Sequence, residues 1–218
     1  MFPMLFRLMW MRTRGGLAVA LIAGFTVPLL MLANGGGLAT EDAPVYQWLR
    51  QSALLGQLLP VATVFLGVYL GIMAWADDHQ GKHVYALSLP VRREVFAMHR
   101  FACGSVLLML PSLGLLAGSL VAAAAVDLAG GVHAYPMALF GRFVFATFTC
   151  YAIFFAISIA TRRAVFFVFA TIGAVLLGQL LLMLASANFD LIGTVLKGLT
   201  TWPGPFEVLT GRWALFDV

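Results

Sequence analysis

A chain of 218 residues that is 62% hydrophobic and only 10% charged is not an ordinary soluble domain, in which about 25% of residues are charged. At roughly 20 residues per span, the length admits a single domain of about five or six membrane helices. The net charge of +4 is no nucleic-acid footprint, because the bases flank apolar runs as positive-inside topology demands.

Residues 1–14, MFPMLFRLMWMRTR, mix apolar side chains with Arg7, Arg12 and Arg14 and include Trp10. This composition predicts a helix lying in the membrane interface, arginines toward lipid headgroups. The apolar run 15–33 that follows is too long for the core of a signal peptide and spans the bilayer despite Pro28. Residues 34–51 form a Gly-rich, mildly acidic loop. The second span, 52–75, carries Gln57 near its start and the spacing Gly67-x-x-x-Gly71. Two small residues one turn apart on a helix face let another backbone approach closely.

The main polar interruption comes next, at 76–100: ADDHQGKHVYALSLPVRREVFAMHR. It holds Asp77, Asp78 and Glu94, the bases Lys82, Arg92, Arg93 and Arg100, and three of the four histidines. Within it, Val84 to Leu89 is an apolar patch ended by Pro90, and an apolar patch framed by charges marks a contact surface. His79 and His83 stand four apart beside two acids, but with no third ligand they read as a solvated polar face and not as a metal site.

The third span, 101–126, is expected to kink at Pro111 and carries a second small-residue pair, Gly114 and Gly118. A short loop with His133 leads to the Phe-rich fourth span, 137–160, which contains Arg142. After the turn Thr161-Arg162-Arg163 the fifth span, 164–185, contains Gln179. Residues 186–218 are broken by Gly193, Gly198 and Pro203-Gly204-Pro205, which predicts two short half-helices around the Pro-Gly-Pro turn, as a re-entrant or interfacial element. The two cysteines, Cys103 and Cys150, fall inside spans and read as small core residues.

With the N-terminus inside, nine of the 13 bases lie on the inner side, namely Arg7, Arg12, Arg14, Lys82, Arg92, Arg93, Arg100, Arg162 and Arg163. Four lie outside: Arg50, Arg142, Lys197 and Arg212. This bias places 76–100 in the cytoplasm. Five spans leave the C-terminus outside, which points to a sixth span beyond the sequence.

No HExxH, GxSxG or Walker A pattern is present, so no catalytic residue is assigned and the chain is not expected to be an enzyme. No acid lies deep within a span, so an ion-coupled relay has little to work with. Arg142, five residues into its span, snorkels to the outer interface or contacts an anionic group. Gln57 and Gln179 join it as candidate residues of a substrate path, or simply bond between helices.

The stretch carrying Asp78, Gly81, Tyr85, Leu87, Leu89, Pro90, Val91 and Arg92 resembles the first cytoplasmic loop of ABC-2 type transporter permeases. There an acid and a glycine precede a short helix ending in a pattern like L-x-x-P-[VI]-[ST]-R, and a base starts the third span. Here that part reads Leu87-Ser-Leu-Pro-Val-Arg-Arg, followed by Arg100. The pattern's Gly-Thr after the acid is Gly81-Lys82. The resemblance implies an all-α polytopic fold of the type V exporter kind in a bacterial cytoplasmic membrane. It also implies a second permease, identical or related, and two copies of an ATPase subunit that alone binds ATP and Mg. Arg93 joins the coupling residues. The other reading left open is a non-transporting structural or assembly subunit of a larger membrane complex. The substrate is not legible.

Overall fold

The computed structural model describes residues 2–34, 56, 58–80, 92–125, 133–160, 164–184, 190–201, 204, 206–210 and 213–217; it leaves out the side chains of 34, 77–80, 160, 164–165, 167–169, 196 and 217. Long helices dominate: α1 (Phe2–Asn34), α2 (Leu58–Gln80), α3 (Arg93–Ala124), α4 (Pro136–Ala160) and α5 (Ala164–Leu184). The shorter α6 (Leu191–Thr200) follows, then a 3-10 turn (Glu207–Leu209) and two tiny strands, β1 (His133–Ala134) and β2 (Phe216–Asp217). The first four helices are long and apolar enough to cross a membrane, which makes the chain an all-α protein of multi-pass character. α5 is 21 residues long and largely apolar.

Three boundaries differ from the sequence reading, each for a backbone reason. The N-terminal arginine-rich segment is not a separate interfacial helix: α1 runs unbroken from Phe2 through Gly15-Gly16 and Pro28. A break there would leave carbonyl and amide groups without partners in hydrocarbon, whereas one continuous helix satisfies them internally. The polar stretch 76–100 is shortened from both sides, because α2 extends to Gln80 and α3 begins at Arg93. Arg92 sits at φ −60°, ψ 133°, an extended cap geometry close behind Pro90, and the acid of the new first turn, Glu94, suits the positive end of the helix dipole. Residues 81–91 lie outside the described residues.

The third difference is at the C-terminus. The first predicted half-helix forms as α6, capped by Asp190, whose Oδ1 accepts from the Gly193 amide at 2.8 Å. Among the described residues the second half forms only the single 3-10 turn, and β2 pairs antiparallel with β1, Phe216 opposite Ala134. The Tyr135 amide adds a bond to the Leu215 carbonyl at 2.8 Å. This pairing lets Trp213, Leu215 and Phe216 bury themselves almost completely.

The bundle is built from two parallel helix pairs. α1 lies along α3, and α2 along α4; α3 and α4 then join the pairs. Both small-residue spacings sit at these seams. A Cβ on Gly114 would stand 2.6 Å from the Leu21 carbonyl oxygen, and one on Gly118 would strike the Phe25 carbonyl. Gly24 reciprocates, 2.8 Å by the same measure from the Pro111 carbonyl. In the other pair a Cβ on Gly67 would lie 2.6 Å from Cys150 Cβ and 2.7 Å from the Tyr151 amide nitrogen, and one on Gly71 would lie 3.0 Å from Phe154. In lipid no hydrophobic drive presses helices together, so such close backbone approach supplies the packing attraction that does.

Two apolar clusters fill the interior. At the end where α1 and α3 begin and α2 and α4 finish, called here the N-terminal end, Met9, Leu17, Leu70, Trp75, Phe96, Leu107, Tyr151 and Phe155 pack together. At the far end Met31, Leu59, Leu115, Leu139 and Phe143 pack against Trp213, Leu215 and Phe216.

The seam glycines set the stability of the bundle. Gly67→Ala and Gly118→Ala are each expected to lower it by about 1–3 kcal/mol, the cost of overpacking a close contact. Gly141→Ala, where a Cβ meets nothing within 4 Å, is expected to leave it unchanged. SDS titration of the purified protein in mixed micelles, read by circular dichroism, measures all three.

Candidate functional site

Arg100 organises the N-terminal end. It is only 6% exposed, yet it carries a guanidinium that is charged at any working pH. Its Cζ lies 5.0 Å from the centre of the Trp75 ring and 4.7 Å from that of Phe96. The two rings meet edge to face with centroids 6.4 Å apart. A planar cation between aromatic faces gains quadrupole attraction worth about 2 kcal/mol where water is excluded. The helix spacing explains the arrangement: Phe96 and Arg100 are four apart on α3 and so share a face, and α2 brings Trp75 to that face.

The aromatic side chains continue inward. Trp75 is 5.4 Å from Phe155, and Phe101 packs against Phe155 at 5.2 Å and stacks on Tyr151 at 5.2 Å. The Tyr151 hydroxyl donates to the Phe101 carbonyl at 3.3 Å, and Gly104 leaves room for its ring. Trp75 Nε1 is buried and finds no hydrogen-bond partner among the described residues. His99, one residue before Arg100, is at the surface: its Nδ1 is 2.7 Å from the Val95 carbonyl and its ring 6.3 Å from Phe2.

The expected coupling residues divide sharply. Arg92 and Arg93 are exposed at the start of α3. Gly81, Tyr85, Leu87, Leu89 and Pro90 lie outside the described residues, as does the side chain of Asp78 in the last turn of α2. The roots of the stretch are both described, and both reach the Arg100 cage: Trp75 precedes the stretch on α2, and Phe96 lies in its last part, on α3. Sequence reasoning marked Arg100 only as the base that opens a span. The signal that could have found its partners is the presence of a tryptophan and a phenylalanine one turn from each root.

The expected path residues do not come together. Gln57 lies outside the described residues. Arg142 is half-buried near the start of α4, its Cζ 4.9 Å above the Trp213 ring. Arg142 therefore packs against the C-terminal segment. Trp213 in turn donates from Nε1 to the Leu209 carbonyl at 2.9 Å. Gln179 is buried on α5, and its Oε1 accepts from the amides of Leu191 at 2.7 Å and Ile192 at 3.3 Å. Those amides open α6 and have no partner within their own helix, so Gln179 fastens α6 to α5. Cys103 and Cys150 are buried free thiols. Among the described residues no group of three His, Cys, Asp or Glu side chains could hold a metal ion.

No protein family, no characterised protein and no solved structure matches the chain.

Two substitutions test the ends of the bundle separately. Arg100→Lys keeps the charge but loses the planar face, and is expected to cost about 1 kcal/mol; Arg100→Ala is expected to cost about 2–3 kcal/mol. Trp213→Ala is expected to cost roughly 3 kcal/mol by emptying the far cluster. It should also render the end of the chain sensitive to limited proteolysis while the helix content measured by circular dichroism is retained.

Proposed function

We propose that the chain is the permease subunit of an ATP-driven exporter of the ABC-2 type, coupled through residues 76–100 to a separate cytoplasmic ATPase. The observation that carries this reading is the stretch Leu87-Ser-Leu-Pro-Val-Arg-Arg, set between two apolar helices. Its roots support the reading. The end of α2 and the start of α3 emerge at the end of the bundle where α1 begins, the end that also gathers Arg7, Arg92, Arg93 and Arg100. Positive-inside topology makes that end cytoplasmic, in a bacterial inner membrane, and an ATPase can reach it.

The chemistry then follows from what the chain lacks and where its charges lie. Transport against a gradient needs an energy source, and no acid stands within the apolar length of a span to relay an ion. ATP and Mg belong to the partner subunit, of which two copies serve two permeases. Val84, Tyr85, Leu87 and Leu89 supply apolar knobs for a groove on the ATPase, and Arg92 and Arg93 pair with its acids. ATP-driven closure moves the stretch as a rigid body, and the Arg100 cage passes the movement to α2 and α3. α5 serves as a fifth span, with α6 and the C-terminal segment on the outer side. Arg142 and Gln179 stand near that side, where the cargo leaves.

Purification in mild detergent from the native host is the direct test. The expected result is a complex with a Walker-A ATPase whose hydrolysis rate changes on reconstitution with the chain. Tyr85→Asp combined with Leu87→Asp is expected to release the ATPase while the permease stays inserted. A native complex with no nucleotide-binding subunit rejects the exporter and favours a structural subunit; retained ATPase in the double variant rejects the coupling assignment.

A further inference from the structure

Of the three exposed arginines of α1, Arg7, Arg12 and Arg14, Arg7 and Arg14 share a flank, and Arg14 stands at an unusual height in the bundle. Gly16 faces the Tyr69 hydroxyl, which a Cβ there would approach to 2.7 Å. Tyr69 stands at the centre of α2, Leu58–Gln80, about 16 Å from either end at 1.5 Å per residue. Arg14 is two residues from Gly16, so its backbone lies near mid-height of α2. Arg7 is two turns, about 10 Å, nearer the N-terminal end and on the same flank of α1. Both arginines are exposed, and so are Trp10 and Ala18 along that flank. Further along it, the Leu21 and Phe25 carbonyls meet Gly114 and Gly118, so the two arginines border the seam between α1 and α3.

An exposed guanidinium at that height faces hydrocarbon unless an anion meets it. Helix side chains lean toward the helix N-terminus, so Arg14 reaches up toward Arg7 and the membrane surface, with its head still below that of Arg7. Among the described residues a second copy of the chain has no carboxylate to offer there, since Asp77, Asp78, Glu94, Asp190, Glu207 and Asp217 lie in or near the end turns of helices or outside them. A phospholipid phosphate does fit. It accepts the forked donors of arginine and enters from the adjoining leaflet, and the indole of Trp10, one turn from each arginine, settles at headgroup level.

We propose that Arg7 and Arg14, with Trp10 between them, form a site on the α1–α3 seam for the phosphate of an anionic phospholipid, drawn below the level of the surrounding headgroups. The site depends on the membrane-spanning character of α1 and not on the exporter reading.

Native mass spectrometry of the detergent-purified chain, titrated separately with phosphatidylglycerol and phosphatidylcholine, tests it. Phosphatidylglycerol is expected to remain bound and phosphatidylcholine to dissociate. Arg7→Gln with Arg14→Gln is expected to bind phosphatidylglycerol roughly tenfold more weakly. Arg14→Gln alone, expected to bind about threefold more weakly, serves if the pair does not fold. Lys197→Gln, an equal change of charge on α6, is expected to bind as the parent does, and inorganic phosphate to leave the melting temperature unchanged. Undiminished binding in the arginine variants overturns the site. So does an equal loss in Lys197→Gln, equal retention of the two lipids, or stabilisation by free phosphate.

Discussion

Close contact between helix backbones at two glycine pairs is the constraint on which the rest of the molecule depends. Apolar side chains gain little by leaving lipid for each other, so the helices are held by contacts that demand short range. Gly114 and Gly118 bring α3 onto the carbonyls of α1; Gly67 and Gly71 bring α2 onto the backbone of α4. These contacts fix which helices are neighbours and at what height. The height in turn places Trp75 beside Phe96 and Arg100, and Leu59 and Leu139 beside the C-terminal segment. A shift of α2 by one turn along its seam would carry Trp75 away from the Arg100 guanidinium.

The two ends of the bundle solve different problems with the same interaction. Each rests an arginine on a tryptophan: Arg100 on Trp75 at one end, Arg142 on Trp213 at the other. At the N-terminal end the cation is buried and joins two spans. At the far end it is half-exposed and joins a span to the returning C-terminal segment, which also ties β2 to the entrance of α4 through β1. The far end adds the strand pairing and the Trp213 bond to the Leu209 carbonyl, while the N-terminal end centres on a guanidinium among rings.

Much of this was legible in the sequence, and what was not shares a physical cause. Helical spans, small-residue spacings and the polar interruption at 76–100 all follow from periodicity and composition, which are local. Partners are not local. Nothing at Gly67 announces Cys150, and nothing at Gln179 announces the open amides of Leu191 and Ile192. The two-residue strands carry no period at all. The N-terminal segment was read as lying flat because its arginines suggest an interface. The requirement that backbone groups stay paired in hydrocarbon outweighs that suggestion and keeps α1 continuous. The expected coupling residues from Gly81 to Pro90 lie outside the described residues, and so their part in the site rests on the sequence pattern.

That pattern gains a mechanical context from its roots. A loop joining two helices transmits force only if the helices are coupled where the loop enters; otherwise each swings independently and the displacement is lost as tilt. Trp75 on α2 and Phe96 on α3 both pack on one guanidinium, and Phe155 and Phe101 back them with rings at 5.2 to 5.4 Å. The attraction between a cation and a ring falls off within about 6 Å, so the cage tolerates little relative motion of α2 and α3 before it breaks. Displacement applied between 81 and 91 therefore arrives at both helices together. From there the glycine seams carry it on, α3 moving α1 and α2 moving α4, because close-packed backbones leave no slack to absorb it. In the exporter proposed here, that is the order in which a push from the ATPase would spread through the bundle.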